Sequence, residues 1–298
     1  MARSYPPDII VLDFDSLLHA RLAPGKRGPR IAQAKTFRLS GNTFAQSVVT
    51  PELVNEGALA ETLRRVKNET GRWDRVSVLL PDAWFRMNII DLPSLPENPA
   101  ESVDVVRWSL KRTLPIDPSE LRIAYEVLSR GTSGVKLFVV SALDKTLGAI
   151  ERVFADAGLE VILIEPVGLN IWNAIAVREA DPNTDRLFLY VRDTDFTTAV
   201  FRGAQPLFIR SRNLSRERTL QQEIRLSANY LRDSLQVTGF DNLYIAGNRV
   251  DSDVASELAS LFNTPVRPVS IDDYAESIPG DLHGLDAELT ACTGVFTG

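Results

Sequence analysis

The chain has 298 residues, 44% of them hydrophobic and 24% charged, with a net charge of −6 and a pI of about 5.2. This is the balance of a globular protein large enough for two lobes, and its acidity leaves no general attraction to nucleic-acid phosphate. A single cysteine, Cys292, excludes an internal disulfide and a cysteine-based zinc cluster, and the two histidines, His19 and His283, show no ligand spacing.

In chain order, residues 9–13 read as a buried strand of β-branched and apolar residues, and 17–23 continue as a second strand. A turn rich in Gly, Pro and basic residues (23–30) leads to a third strand over 34–41, so the chain opens on an antiparallel meander. A helix is expected over 50–71, capped by Thr50, with Pro51 at its first position and Gly71 at its end. Strands follow at 75–81 and 86–93, split by "DAWF". A helix over 99–114 presents Val103, Val106 and Leu110 on one face, and Pro115 stops it. "LRIAYEVLS" and "VKLFVVSAL" form a hairpin around "RGTSG". A helix over 144–159 is expected to be capped by Asp144 and closed near Gly158, then the strand "EVILIEP" and one more helix. "DPNTD", 181–185, is the linker candidate. Beyond it the opening pattern recurs over 186–215: strand, acidic junction, strand, tight turn at Arg202-Gly203, strand. A helix over 216–236, the strand "NLYIAGN", a helix over 251–262 and the short strand "PVRPVSI" complete the pattern. The recurrence reads as an internal duplication at the level of fold. It places Asp13-Phe14-Asp15 and Asp193-Thr194-Asp195 in matching positions, each between the first two strands of a lobe.

Two lobes that each begin with a three-stranded meander resemble the actin-like ATPase (ribonuclease H-like) fold. Residues 76–128 narrow the resemblance. Leu80-Pro81, Leu92-Pro93, Arg107-Trp108, Leu114-Pro115 and Tyr125-Glu126-Val127-Leu128 occur in the order and spacing of the inserted subdomain of PilM, the cytoplasmic actin-like protein of type IV pilus assembly. "FADAGLEVILIEPVGLNIWNAI" and the late helix "LQQEIRLSANYL" are similar to the stretches that follow in that family. The implied fold class is α/β, with a mixed sheet and flanking helices in each lobe and a small inserted α+β subdomain. The implied domains are 1–76 with 161–180, an insertion over 77–160, and a second lobe over 181–298.

The family's nucleotide site is where this chain departs. In actin-like ATPases two Asp-x-Gly-type hairpins hold the phosphates, because glycine lets backbone N–H groups reach phosphate oxygens and the aspartate helps to hold the metal. Neither junction here has a glycine, and Asp15 and Asp195 would add negative charge beside a polyphosphate. The glycine-rich adenosine turn is reduced to "AGN", with Gly247 alone, and the long helical segment that walls the adenine in PilM relatives is absent from "NLSRERTLQQEI". The resemblance therefore implies a degenerate nucleotide site: no catalytic residue, no metal and no ATP or magnesium cofactor, hence a pseudo-ATPase. On that reading Asp13 and Asp15 tolerate substitution as far as a nucleotide is concerned. The aspartate pairs could hold a metal, but strand-end carboxylates in a solvated cleft are the plainer reading. His19 is read as a structural histidine and Cys292 as a small core residue. No P-loop, dinucleotide, nucleophile-elbow or zinc-protease motif occurs.

In PilM-like proteins a groove between the first subdomain and the inserted one receives a short cytoplasmic peptide of the membrane protein PilN. The resemblance implies the same groove and a PilN-like bitopic inner-membrane partner. Arg107, Trp108, Lys111 and Arg112 are the candidate partner residues, since tryptophan among cations is the chemistry of a binding hot spot. The competing reading packs Trp108 into the subdomain core. The expected role is a cytoplasmic scaffold at the inner membrane, compatible with homo-oligomer formation. The N-terminus has no apolar signal core and no stretch reaches the roughly 18 apolar residues of a membrane span, so the partner would supply the anchor. Three rivals remain: an ATP-binding ATPase of the same family, the cytoplasmic domain of a GspL-like type II secretion protein, and an FtsA-like filament former. The last lacks support, because residues 281–298 carry no basic amphipathic pattern.

Overall fold

Strand β1 (Asp8–Leu12) is buried along its whole length, as a central strand covered on both faces must be. It pairs antiparallel with β2 (Ser16–Pro24), which pairs antiparallel with β3 (Pro29–Arg38). In the computed structural model, residues 5–45, 51–111, 114, 116–179, 181–214, 219–235, 239–250, 252–279, 282 and 284–297 are described. The short strands β4 (Phe44–Ala45) and β5 (Glu52–Leu53) pair with each other before helix α1 (Glu56–Thr70). The helix therefore starts five residues later than the sequence suggests, its cap at Asn55 instead of Thr50. Asn55 caps it by accepting the Ala58 amide at 3.0 Å, while Leu53 is buried on the strand pair; Thr50 lies outside the described residues. Gly71 closes the helix as expected.

Strand β6 (Arg75–Leu80) returns to lie parallel to β1. After a 3-10 turn at 82–84, β7 (Phe85–Leu92), helix α2 (Pro99–Leu110), β8 (Leu121–Gly131) and β9 (Gly134–Leu143) build a separate three-stranded sheet of order β7-β9-β8. One face meets Val106 and Leu110 of α2, and the other merges through Phe85, Met87 and Phe138 with the core of the first lobe. Helix α3 (Asp144–Asp156) packs against α1 and against β10 (Glu160–Pro166), so it covers the first sheet rather than the insertion. Asp144 is not its cap: Leu143 holds that position without a side-chain bond, and Asp144 instead takes the Arg122 guanidinium at 2.8 Å.

Helix α4 (Val167–Arg178) leads to the second lobe. Its strands β11 (Asp185–Val191), β12 (Asp195–Arg202) and β13 (Gln205–Asn213) repeat the meander. Helix α5 (Leu220–Leu235), β14 (Asn242–Gly247), helix α6 (Ser252–Phe262) and β15 (Val266–Pro268) follow, and helix α7 (Asp286–Thr297) ends the chain. The sheets run β10-β6-β1-β2-β3 and β13-β12-β11-β14-β15. Read from opposite ends these are one order, three antiparallel strands and then two parallel ones, which is the duplication expected from the sequence. Only residues 214–219 separate β13 from α5, so the second lobe has no subdomain there.

Helices α4 and α7 lie between the two sheets. Ile9 and Val11 point into this shared core with Ile171, Trp172, Phe188, Tyr190, Leu289 and Cys292, while Ile10 and Leu12 point to the outer layer under α1 and α3. Cys292 is thus a core residue, as expected. So is His19, fully buried, bonded to Asp8 at 2.8 Å and stacked on Trp73; His283 lies outside the described residues. The two central helices touch at Gly294, where a β-carbon would stand 1.8 Å from the Asn170 carbonyl oxygen. Gly294→Ala is expected to push α7 off α4 and cost about 2 kcal/mol by urea denaturation.

Candidate functional site

The two meander junctions face each other where the lobes meet. In the first, the Asp13 amide donates to the Ser16 carbonyl at 2.8 Å, and the Asp15 carbonyl accepts from Leu39. In the second, the Arg192 amide donates to the Asp195 carbonyl at 2.8 Å, and the Thr194 carbonyl accepts from Leu214. These bonds fix the correspondence. Asp13 matches Arg192, Asp15 matches Thr194, and Ser16 matches Asp195. The two acidic triplets are therefore one residue out of phase, and the carboxylates expected in equivalent places are not equivalent.

The matched pair, Asp13 and Arg192, carries opposite charges and closes across the junction. One Arg192 nitrogen stands 2.7 Å from each oxygen of the Asp13 carboxylate. Arg192 is 7% exposed, so this bond forms largely out of water. Asp13 also accepts the Phe14 amide at 2.7 Å. It is thus a structural tie between lobes, a role that the expectation of tolerance on nucleotide grounds did not include. Asp15 and Asp193 are exposed, as solvated strand-end carboxylates should be; Asp193 takes a bond from Asn248 at 3.2 Å. Asp195 departs from that reading. It is 1% exposed, bonded to the Thr194 hydroxyl at 2.6 Å, and burial raises its pKa against the lowering pull of Arg192. Glu288 of α7 is raised by the same cause. The cavity beside Asp13, Tyr190, Arg192 and Glu288 measures 50 Å³.

Gly247 has a local reason to be glycine. Its φ is +120°, and a β-carbon there would lie 1.8 Å from the Val191 carbonyl oxygen.

Sequence reasoning missed Asp82. It follows β6, is fully buried, and ties three elements together. One oxygen accepts the Gly168 amide near the start of α4 at 2.7 Å, and the other accepts the Thr197 hydroxyl of β12 at 2.7 Å. Thr197 in turn meets the Ser211 hydroxyl of β13 at 2.8 Å. Burial dominates and pushes the Asp82 carboxyl up to about 6, despite both bonds.

A groove of 990 Å³ runs between the first lobe and the insertion. Leu53, Ile116, Leu143 and Ala149 give it an apolar floor, and Glu52, Asp117, Glu120, Asp144, Lys145 and Arg152 give it a charged rim. Arg107, Trp108 and Lys111 are not among its lining residues. Trp108 is 68% exposed on the outer face of α2, which excludes the core reading. Arg107 bonds Asp104 at 2.7 Å and the Pro118 carbonyl at 3.2 Å, so it braces the 3-10 turn at 118–120 that forms one wall. Lys111 is exposed nearby, and Arg112 lies outside the described residues.

No family model and no curated protein matches the chain. Solved structures do. A chain of the PilM-PilN type IV pilus biogenesis complex is 17% identical and superposes with a TM-score of 0.82 over 99% of this chain and 98% of that one. A Bacteroides thetaiotaomicron protein with an actin-like ATPase fold and unknown function is 13% identical, with a TM-score of 0.55 over 95% of each chain. The cytoplasmic domain of EpsL, an inner membrane component of the type II secretion system of Vibrio cholerae, is 11% identical, with a TM-score of 0.54 over 98% of this chain and 94% of that one. The chain has the actin-like ATPase fold, in the PilM-like form that carries a small inserted subdomain.

Proposed function

We propose that this protein is a non-hydrolysing actin-like scaffold of a pilus or secretion machine, which binds the short cytoplasmic tail of a PilN-like membrane protein. The observation that carries the non-hydrolysing part is the Arg192–Asp13 pair. It stands between the two hairpins where actin-like ATPases hold phosphate, and it commits the first-hairpin carboxylate to a guanidinium. The room beside it, 50 Å³, is far below the roughly 300 Å³ or more that small-ligand sites offer. The residues present do not fit a magnesium-bound polyphosphate. The 990 Å³ groove is the candidate peptide site, and the partner would hold the scaffold at the inner-membrane surface from the cytoplasm. Among the described residues no helix is long and apolar enough to cross a membrane.

Two measurements test this. With roughly 2 mM Mg-ATP the melting temperature is expected to stay within about 0.5 °C of the free protein, because only a ligand that binds the native state raises it. A rise of several degrees would restore the ATPase reading. For the tail, a peptide from the membrane protein encoded beside this chain should bind in a pull-down and by calorimetry. Ile116→Asp, in the groove floor, is expected to weaken it at least about ten-fold. Trp108→Ala and Arg107→Glu test whether α2 shares the contact; binding that survives Ile116→Asp but fails in both α2 variants would move the site onto that helix.

A further inference from the structure

A further cavity, of 360 Å³, opens at the other end of the first meander from the Arg192–Asp13 junction. The junction lies between β1 and β2, whereas this cavity borders the turn from β2 to β3. Pro29 of β3, Ala174 and Val177 of α4, and Tyr274 give it an apolar lining. Val177 is 57% exposed, on a helix whose Ile171, Trp172 and Ile175 are all core. Arg27 of the turn and Arg178 at the end of α4 line the same cavity, and both are exposed. No carboxylate is among its described lining residues. The neighbouring acids are committed elsewhere. Glu276 accepts the Arg27 amide at 3.3 Å rather than its guanidinium, and Glu179 is taken by Tyr244, Arg186 and Arg267. Neither guanidinium has a salt-bridge partner among the described residues. The turn itself is fixed: the Glu276 amide donates to the Pro29 carbonyl at 2.8 Å, and the Ile31 amide to the Ser277 carbonyl at 3.0 Å. A β-carbon at Gly28 would stand 3.0 Å from the Arg178 Nη2, so the glycine lets that guanidinium lie against the turn. On a chain of net charge −6, the turn carries Lys26, Arg27 and Arg30 and no acid.

We propose that this cavity docks an acidic segment of another protein, which seats one large apolar side chain against Val177 and Tyr274 and sets carboxylates against Arg27 and Arg178. The cavity is above the roughly 300 Å³ at which small-ligand sites begin, room enough for such a side chain. An apolar pocket flanked by guanidinium groups anchors by burial and selects by charge, and a fixed turn lowers the cost of ordering it. The acids must come from the partner, since the cavity supplies none. A second copy related by a two-fold axis would set Lys26, Arg27 and Arg178 against their own equivalents, which like charges oppose. The site shares no lining residue with the groove beside the insertion, so it stands whether or not the proposed function does.

The test is fluorescence anisotropy on the full chain with three pools of short labelled peptides. Each peptide carries one Leu, Ile, Phe or Trp, flanked by Asp and Glu in the first pool, by Lys and Arg in the second, and by Asn and Gln in the third. The acidic pool is expected to bind more tightly than the other two. Its Kd is expected to rise about ten-fold in Val177→Asp, Arg27→Glu and Arg178→Glu, but not in Ile116→Asp, which alters the groove beside the insertion. The three cavity side chains are exposed, so these variants are expected to fold, and matching melting temperatures check it. No binding by any pool, equal binding of the neutral pool, tighter binding of the basic pool, or a Kd unchanged in both arginine variants overturns the proposal. So does a concentration-dependent dimer that Val177→Asp abolishes, since the occupant would then be a second copy.

Discussion

Arg192→Met is expected to destabilise the protein by about 4 kcal/mol near neutral pH. The side chain is 9% exposed and binds Asp13 through both carboxylate oxygens. It is also the positive charge felt by Asp82, Asp195 and Glu288, all of which burial already pushes toward the neutral form. Removing it takes away the cation whose field lowers all three. The loss has a signature that a simple packing defect lacks. Toward pH 5 Asp82, whose carboxyl sits at about 6, takes up a proton and part of the uncompensated charge disappears, so the cost is expected to fall. Asp13→Asn is expected to cost less, about 1 to 2 kcal/mol, because Arg192 keeps Asp195 nearby and an amide oxygen still accepts from it. Asp15→Gly, on an exposed carboxylate, is expected to stay within about 0.5 kcal/mol. Urea midpoints for the three variants at both pH values check the series. An Arg192→Met cost that does not change with pH would mean that the guanidinium acts through its packing alone.

The strands were legible because burial on two faces needs continuous apolar runs, and "IIVL" and "LFLYV" are such runs. The duplication was legible for the same reason: each lobe spends the same kinds of residue on the same strands. The phase of the junctions was not. Asp-x-Asp occurs in both, and nothing in the letters says that the second turn closes on Arg192 rather than on Asp193. The hydrogen bonds from Asp13 to Ser16 and from Arg192 to Asp195 decide it. A one-residue error there matched Asp13 with Asp193 and hid its ion pair with Arg192. Asp82 was illegible for a different reason. It is a lone aspartate after a strand, and its partners Gly168 and Thr197 are 86 and 115 residues away. The groove beside the insertion is likewise assembled from segments near 51–56, 116–120 and 143–152, no one of which carries a motif. The Arg107-Trp108 pair stood out because its chemistry is local, and the structure places it behind the groove wall rather than inside.

Asp82 sets the second large effect, a stability that falls as pH rises. Its carboxyl sits at about 6 in the fold against an ordinary 3.8, because burial disfavours the charge more than the Gly168 and Thr197 bonds favour it. The native state therefore holds a proton that the unfolded chain has already released across the window from about 4 to 6. Native proton uptake means that stability declines with rising pH through that window and levels off above it. The full contribution is about 3 kcal/mol, with about 2 kcal/mol of it falling between about pH 4.5 and about pH 7.5. Asp195, Glu165 and Glu288 are raised by burial too and push the same way, while the exposed Asp117 and Asp181, lowered by hydrogen bonds, push weakly the other way. The contribution of Asp82 is isolated by Asp82→Asn. The amide keeps an oxygen for the Gly168 N–H and turns an N–H toward Thr197, whose hydroxyl can then donate to Ser211. Urea denaturation of both proteins across this pH range is expected to give curves whose separation changes by about 2 kcal/mol, the variant gaining on the parent as pH rises. Parallel curves would show that the carboxyl is ionised in the fold throughout. Asp82→Ala strands the Gly168 and Thr197 donors and opens a void, and is expected to cost about 4 kcal/mol near pH 5, where the parent is protonated and most stable.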